Sequence, residues 1–109
     1  MKYNIKTDVD FDKGLKKLAK KYPSIKNDIQ EIVKNIDNEL KLADDLGNGF
    51  KKIRINIKSK GKGSSGGGRI RSYDILVTTN QTEIIFALIY DKGEYSTADL
   101  AILKKNLGL

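Results

Sequence analysis

Residues 51–71, KKIRINIKSKGKGSSGGGRIR, hold eight Lys or Arg and no Asp or Glu. The rest of the 109-residue chain carries 13 basic against 14 acidic residues, so the whole net charge of +7 belongs to this one segment. Positive charge spread evenly over a surface mainly keeps a protein in solution. Gathered in one stretch, it suits a polyanionic partner. A solvated basic surface is the plainer reading of the same run. The chain has no cysteine and no histidine. That excludes a disulfide framework, a thiolate metal site and the usual general base near neutral pH. Any catalysis falls to Lys, Arg, Tyr, Asp, Glu or Ser.

The glycine-rich part of the segment matches two nucleotide-binding patterns only superficially. GKGSSG (61–66) satisfies G-x-G-x-x-G. That fingerprint requires a strand before it, a helix opening on it and a parallel crossover around it, whereas here a strand follows. The phosphate-binding P-loop fails because Gly67 and Gly68 stand where Lys and Ser or Thr are required. What remains is a flexible hairpin loop. Its lysines at 58, 60 and 62 are placed to follow a phosphate backbone and to order on binding it.

The elements around this segment read as one domain over residues 1–109. YNIKT (3–7) suggests a short strand. Phe11, Leu15, Leu18 and Tyr22 recur at helical spacing, with Asp10 as N-cap and Pro23 as the stop. A second helix is expected from about Ser24 to Leu42, with Ile25, Ile29, Ile32, Val33, Ile36 and Leu40 as its apolar stripe. The short link makes the two an antiparallel hairpin. DDLGNG (44–49) reads as a turn-rich break. In FKKIRINIK the period changes to two, and Ile53, Ile55 and Ile57 alternate with Lys52, Arg54, Asn56 and Lys58. Strands follow over 69–79 and 82–91, with Asn80-Gln81 as the turn between them. EIIFALIY is apolar on both faces, as a central strand would be. Ser96 to Asp99 resembles a capping box opening a short helix over Leu100, Leu103 and Leu107. The expected order is β-αα-βββ-α, an α+β domain with its N-terminal helical hairpin packed on a small, mainly antiparallel sheet. Neither a signal segment nor a membrane span is visible, so a soluble cytoplasmic protein is expected.

KKIRINIKSKGKGSSGGGRIRSYD, followed by IIFALIYDKGEYSTADL, resembles the RelE/HigB branch of the RelE/ParE toxins of bacterial type II toxin–antitoxin modules. That branch shows a basic K-I-R strand, a K-S-K-G-K-G loop, a G-G-x-R strand, a strand ending Y-D-K and a small C-terminal helix. The likeness is strongest over about residues 47–92, and the order of the other elements agrees. It implies a RelE-like fold and an endoribonuclease that cleaves mRNA on translating ribosomes. It also implies a cognate antitoxin protein as partner, no membrane, no metal and no small-molecule cofactor. Cleavage would proceed by attack of a ribose 2′-OH on the adjacent phosphate, leaving a cyclic or 3′ phosphate. Two other functions share the same features. A ParE-like protein would inhibit DNA gyrase without nuclease activity, although the K-S-K-G-K-G loop speaks against it. A non-catalytic RNA-binding module would need exposed aromatics among the basic residues, and residues 51–71 contain none.

The resemblance assigns roles residue by residue. Lys52 and Arg54 lie two apart on one strand and face the same way. Lys52 is the candidate base or phosphate neutraliser; a lysine acts as a base only where crowded cations or burial disfavour its charged form. Arg54, and Arg69 from the G-G-x-R strand, would stabilise the phosphorane oxygens. Lys92, after Tyr90-Asp91, is a candidate leaving-group acid, and Tyr95 would stack on a base or orient the 2′-OH. Tyr73 and Tyr90 are alternative stackers, with at least one expected in the sheet core. Lys58, Lys60 and Lys62 are read as RNA contacts, because a glycine loop holds a catalytic base too loosely. Arg71 either contacts RNA or pairs with Asp74 or with an acidic helix residue.

Overall fold

The computed structural model describes residues 2–61, 63–78 and 81–92. Strand β1 (Lys2–Thr7) leads into helix α1 (Val9–Lys21), followed by α2 (Ile25–Lys34) and α3 (Ile36–Leu42). Strands β2 (Asp44–Gly47) and β3 (Phe50–Ile55) come next, then a 3-10 turn over Lys58–Lys60 and the single helical turn α4 (Gly63–Gly66). The described chain closes with β4 (Gly68–Thr78) and β5 (Gln81–Asp91). The architecture is α+β, with a five-stranded mixed sheet in the order β1-β5-β4-β3-β2. Among the described residues, no helix is long and apolar enough to cross a membrane.

Several expectations need correction. Helix α1 is capped by Asp8, whose Oδ1 accepts from the Val9 N–H, and Asp10 lies inside the helix. Pro23 acts as expected: Tyr22 just before it is extended, as sterics with a following proline demand. The long second helix is two helices. Asn35 leaves helical geometry; its backbone N–H is shared between the Glu31 and Ile32 carbonyls, each at 3.2 Å, and its Nδ2 also donates to the Glu31 carbonyl at 3.0 Å. The DDLGNG break is a strand and a tight turn. Asn48 and Gly49 both have positive φ, as a two-residue type I′ hairpin requires, and Asp44 and Asp45 pair across it with Lys52 and Lys51. Thr78 pairs with Gln81, so Gln81 belongs to β5 and not to the turn. The sheet is mixed because β1 runs parallel to β5, with Ile5 opposite Ile84. β5 lies between β1 and β4, an interior place in keeping with its two apolar faces, while the middle strand of the five is β4. The C-terminal helix expected from Ser96 lies outside the described residues.

The alternation in β3 divides the sheet. Ile53, Ile55 and Ile57 join Phe11, Leu18, Ile25, Ile32 and Leu40 from the helices in one buried core, with Ile70, Ile84, Phe86 and Ile89 from the other strands. Lys52 and Arg54 therefore lie on the opposite face, with Phe50. There Phe50 and Ala87 form a smaller apolar cluster with Leu46, Tyr73 and Leu88, and the Phe50 and Tyr73 rings are 5.1 Å apart. A bulge in β5 sets which side chains reach this face. Arg71 pairs with Leu88 and Ser72 with Phe86, so Ala87 is the extra residue. The resulting shift lets Phe86 and Ile89 both enter the main core while Tyr90 turns to the side of the arginines.

Candidate functional site

The register between β3 and β4 concentrates the charge. Lys52 lies directly opposite Arg71, and Arg54 directly opposite Arg69. Residues paired this way share a face, so four cations form a two-by-two block. Like charges placed opposite each other destabilise a sheet, and nothing in strand pairing alone calls for this arrangement.

The four differ in exposure. Arg54 is the most open, with 55% of its side chain exposed; Lys52 is at 30%. Their Nη2 and Nζ atoms each lie 3.7 Å from the same oxygen, Oδ2 of Asp44, on the neighbouring edge strand. That carboxylate stands where a phosphoryl oxygen held by both cations would stand. Arg69 and Arg71 are buried, with 7% and 5% exposed. Arg69 Nη1 donates to the Gly68 carbonyl at 2.9 Å. Arg71 pairs with neither Asp74 nor a helix residue; its Nε donates to the Tyr90 hydroxyl at 3.1 Å, and its guanidinium lies 5.4 Å from that ring's centroid. Asp74 is taken instead by Lys51 at 2.9 Å. Arg71 Nη1 is buried without a hydrogen-bond partner, at a typical cost of about 1–3 kcal/mol.

The K-S-K-G-K-G segment is anchored. Ser24 Oγ donates to Asp28 Oδ2 at 2.6 Å and accepts from the Ser59 N–H at 2.9 Å, while the Lys58 N–H donates to Asp28 Oδ2 at 3.1 Å. Lys60 Nζ forms an ion pair with Asp91 Oδ1, and the Tyr22 hydroxyl donates to Asp91 Oδ2 at 2.9 Å. Burial alone would raise the Asp91 carboxyl; the hydrogen bonds from Lys60 and Tyr22 and the positive charge of Lys60 outweigh it, and the net direction is downward. The expected flexible loop is thus held by a 3-10 turn at its start and by the glycines at its end. A Cβ on Gly67 would meet the Ile55 carbonyl oxygen and approach the Ile57 nitrogen to 3.1 Å, so only glycine lets these backbones meet.

Of the loop lysines, Lys58 is exposed, Lys60 is committed to Asp91, and Lys62 lies outside the described residues. Lys92 is exposed, and its N–H donates to the Gly67 carbonyl at 3.1 Å, which sets it beside the glycine end of the loop. Tyr95 lies outside the described residues. Tyr90 is buried under Arg71, and Tyr73 packs on Phe50. Three carboxylates that matter here, Asp28, Asp44 and Asp91, were not singled out from the sequence. For Asp44 a signal existed: Asp-Asp and Lys-Lys flank Asn48-Gly49 almost symmetrically, the pattern of a charged hairpin. No family model, curated protein or solved structure matches the chain.

Proposed function

We propose that this protein is a RelE/HigB-like toxin, a metal-independent endoribonuclease that cleaves mRNA on the ribosome and is held inactive by a cognate antitoxin protein. The observation that carries the reading is the block of Lys52, Arg54, Arg69 and Arg71 on adjacent strands. The helices that follow β1, the interior place of β5 and the anchored basic loop support a RelE-like arrangement.

Transfer of the phosphoryl group to the 2′-OH builds negative charge on the non-bridging oxygens, and preorganised cations stabilise that charge more than they stabilise the ground state. Lys52 and Arg54 are the exposed pair that would receive the scissile phosphate, displacing Asp44. Arg69 would add a guanidinium from the next strand. Arg71, held against Tyr90, would keep the cluster's inner edge in place and add its positive charge from beneath. Lys52, with Asp44 displaced, would neutralise the phosphorane or accept the proton of the attacking 2′-OH. Lys92 would protonate the leaving 5′ oxygen.

The test is cleavage of mRNA on translating ribosomes by the purified protein, with 5′ ends mapped. Lys52→Ala and Arg54→Ala should each lower the rate on the order of a hundredfold, the usual effect of removing one transition-state donor, with the melting temperature nearly unchanged. Full activity in both folded variants refutes the site. DNA breaks with intact mRNA would replace the reading with a gyrase inhibitor.

A further inference from the structure

A cleft of about 610 Å³ opens beside the basic block, within the size range of small-ligand sites. Arg54, Asn56 and Lys58 line it from the strand side, and Asp28, Glu31 and Glu39 from the helices. It adjoins the candidate phosphate position, because Arg54 and Asp44 belong to both. Asp28 is 3% exposed; its Oδ2 is saturated by Ser24 and Lys58, but Oδ1 is buried without a partner. Burial also raises the Glu39 carboxyl above its ordinary value, so this carboxylate is held partly out of water. A run of carboxylates beside a basic nucleic-acid site repels phosphates. It makes sense where the group to be bound is a donor and not an anion.

We propose that this cleft seats a guanine base of the RNA, with the Glu39 carboxylate accepting from N1–H and the N2 amino group, and with the attached phosphate against Arg54. This rests on the ribonuclease reading. Ionised carboxylates only accept hydrogen bonds. Single-stranded RNA is read largely on the Watson–Crick edges of its bases. Guanine alone has two adjacent donors on that edge. Adenine and cytosine each set one amino group beside a ring nitrogen acceptor, and uracil flanks its single N–H with two carbonyls, so each would bring an acceptor against the carboxylate. Glu31 and Asp28 add negative potential behind the same edge.

Guanosine, inosine and adenosine 5′-monophosphates, titrated at millimolar concentration into the isotope-labelled full chain, test this through the amide resonances of residues 28–58. GMP should bind roughly tenfold more tightly than AMP, within the range that one bidentate base contact confers, with inosine monophosphate between them because it lacks the N2 amino group. Glu39→Gln and Glu31→Gln should each shrink the preference while the thermal melt stays near wild type. GMP and AMP binding equally, GMP leaving the cleft amides unperturbed, or a preference unchanged in both variants would each overturn the inference. A GMP preference in a protein that cleaves no RNA would keep the cleft and sink the ribonuclease. Cleavage without base preference and without GMP selectivity would do the reverse.

Discussion

Asp91→Asn should be the most informative single change outside the basic block. Asp91 accepts from Lys60 Nζ and from the Tyr22 hydroxyl, and its side chain is 12% exposed against 16% for Lys60. Substitution removes the negative charge and leaves one amide oxygen to serve both Lys60 and Tyr22, so an ammonium group largely out of water keeps only neutral partners: that oxygen, the Gly67 carbonyl at 3.4 Å and the Tyr22 ring. Breaking a fully buried pair costs about 3–5 kcal/mol, and a single hydrogen bond to a charged group contributes about 1.5–3 kcal/mol. Lys60 keeps a path to solvent, so the loss should lie near 2–3 kcal/mol. At ~2.1 cal/mol/K of unfolding entropy per residue, a chain of this length should then melt about 9–13 °C lower.

The pH dependence carries the sign. The folded-state pKa of Asp91 lies below its unfolded value. The stabilisation is therefore fully present above the unfolded value and is lost as pH falls through the folded one. Wild-type protein should lose this part of its stability below about pH 4, and Asp91→Asn should lack that portion of the acid slope. Thermal and urea melts from pH 7 to pH 3 measure both quantities. The double variant Lys60→Met/Asp91→Asn should recover part of the loss, because no unpaired charge remains. A fall of less than about 4 °C, an unchanged acid slope or strict additivity in the double variant would refute the view that this pair anchors the loop.

Two further changes separate backbone packing from charge. Gly67→Ala should cost at least about 2 kcal/mol because its Cβ meets only backbone atoms of Ile55, Ile57 and Gly63, whereas Gly61→Ala, with positive φ but open space, should cost about 1 kcal/mol; urea melts of the two compare them directly. Asp44→Asn should leave stability within about 1 kcal/mol, since both of its ion pairs are partly exposed, yet tighten RNA binding and steepen its salt dependence in a filter-binding titration.

How much of this was legible follows from the range of each interaction. The apolar stripe running through α1, α2 and α3 and the alternation of Ile53, Ile55 and Ile57 are local periodicities, and the core they predict is the one observed except at Val33, which is exposed. Position within the sheet was partly readable: β5, whose sequence leaves neither face polar, is an interior strand, although β4 holds the middle. The break at Asn35 is a change in one residue's backbone, with Ile36 and Leu40 still in the core beyond it, so the apolar periodicity runs through it and does not mark it. The parallel pairing of β1 with β5 joins the two ends of the described chain and has no local signature. The bulge at Ala87 is invisible for the same reason, although it decides that Tyr90 meets Arg71. For the site, the sequence indicated which cations cluster, but not which are open. Arg54 and Arg69 look alike in the primary structure; one is exposed and the other buried.

The glycine run changes meaning most. Ser64, Ser65 and three successive glycines suit a mobile tip. In the fold, Gly67 and Gly68 are glycines because a Cβ would strike the carbonyls of Ile55 and Tyr90, backbone atoms of the strands on either side. Their smallness supports close packing. The lysine half is fixed from three directions, by Ser24, by Asp28 and by Asp91. A loop held this way loses little entropy when a ligand arrives, so its contribution to binding need not be offset by ordering. The same anchoring keeps Arg69, one residue beyond Gly68, in register with Arg54 across the strands. Loosening the loop through Asp91 should therefore weaken the basic block as well as the fold, and activity should fall in that variant even though no proposed phosphate contact has been removed.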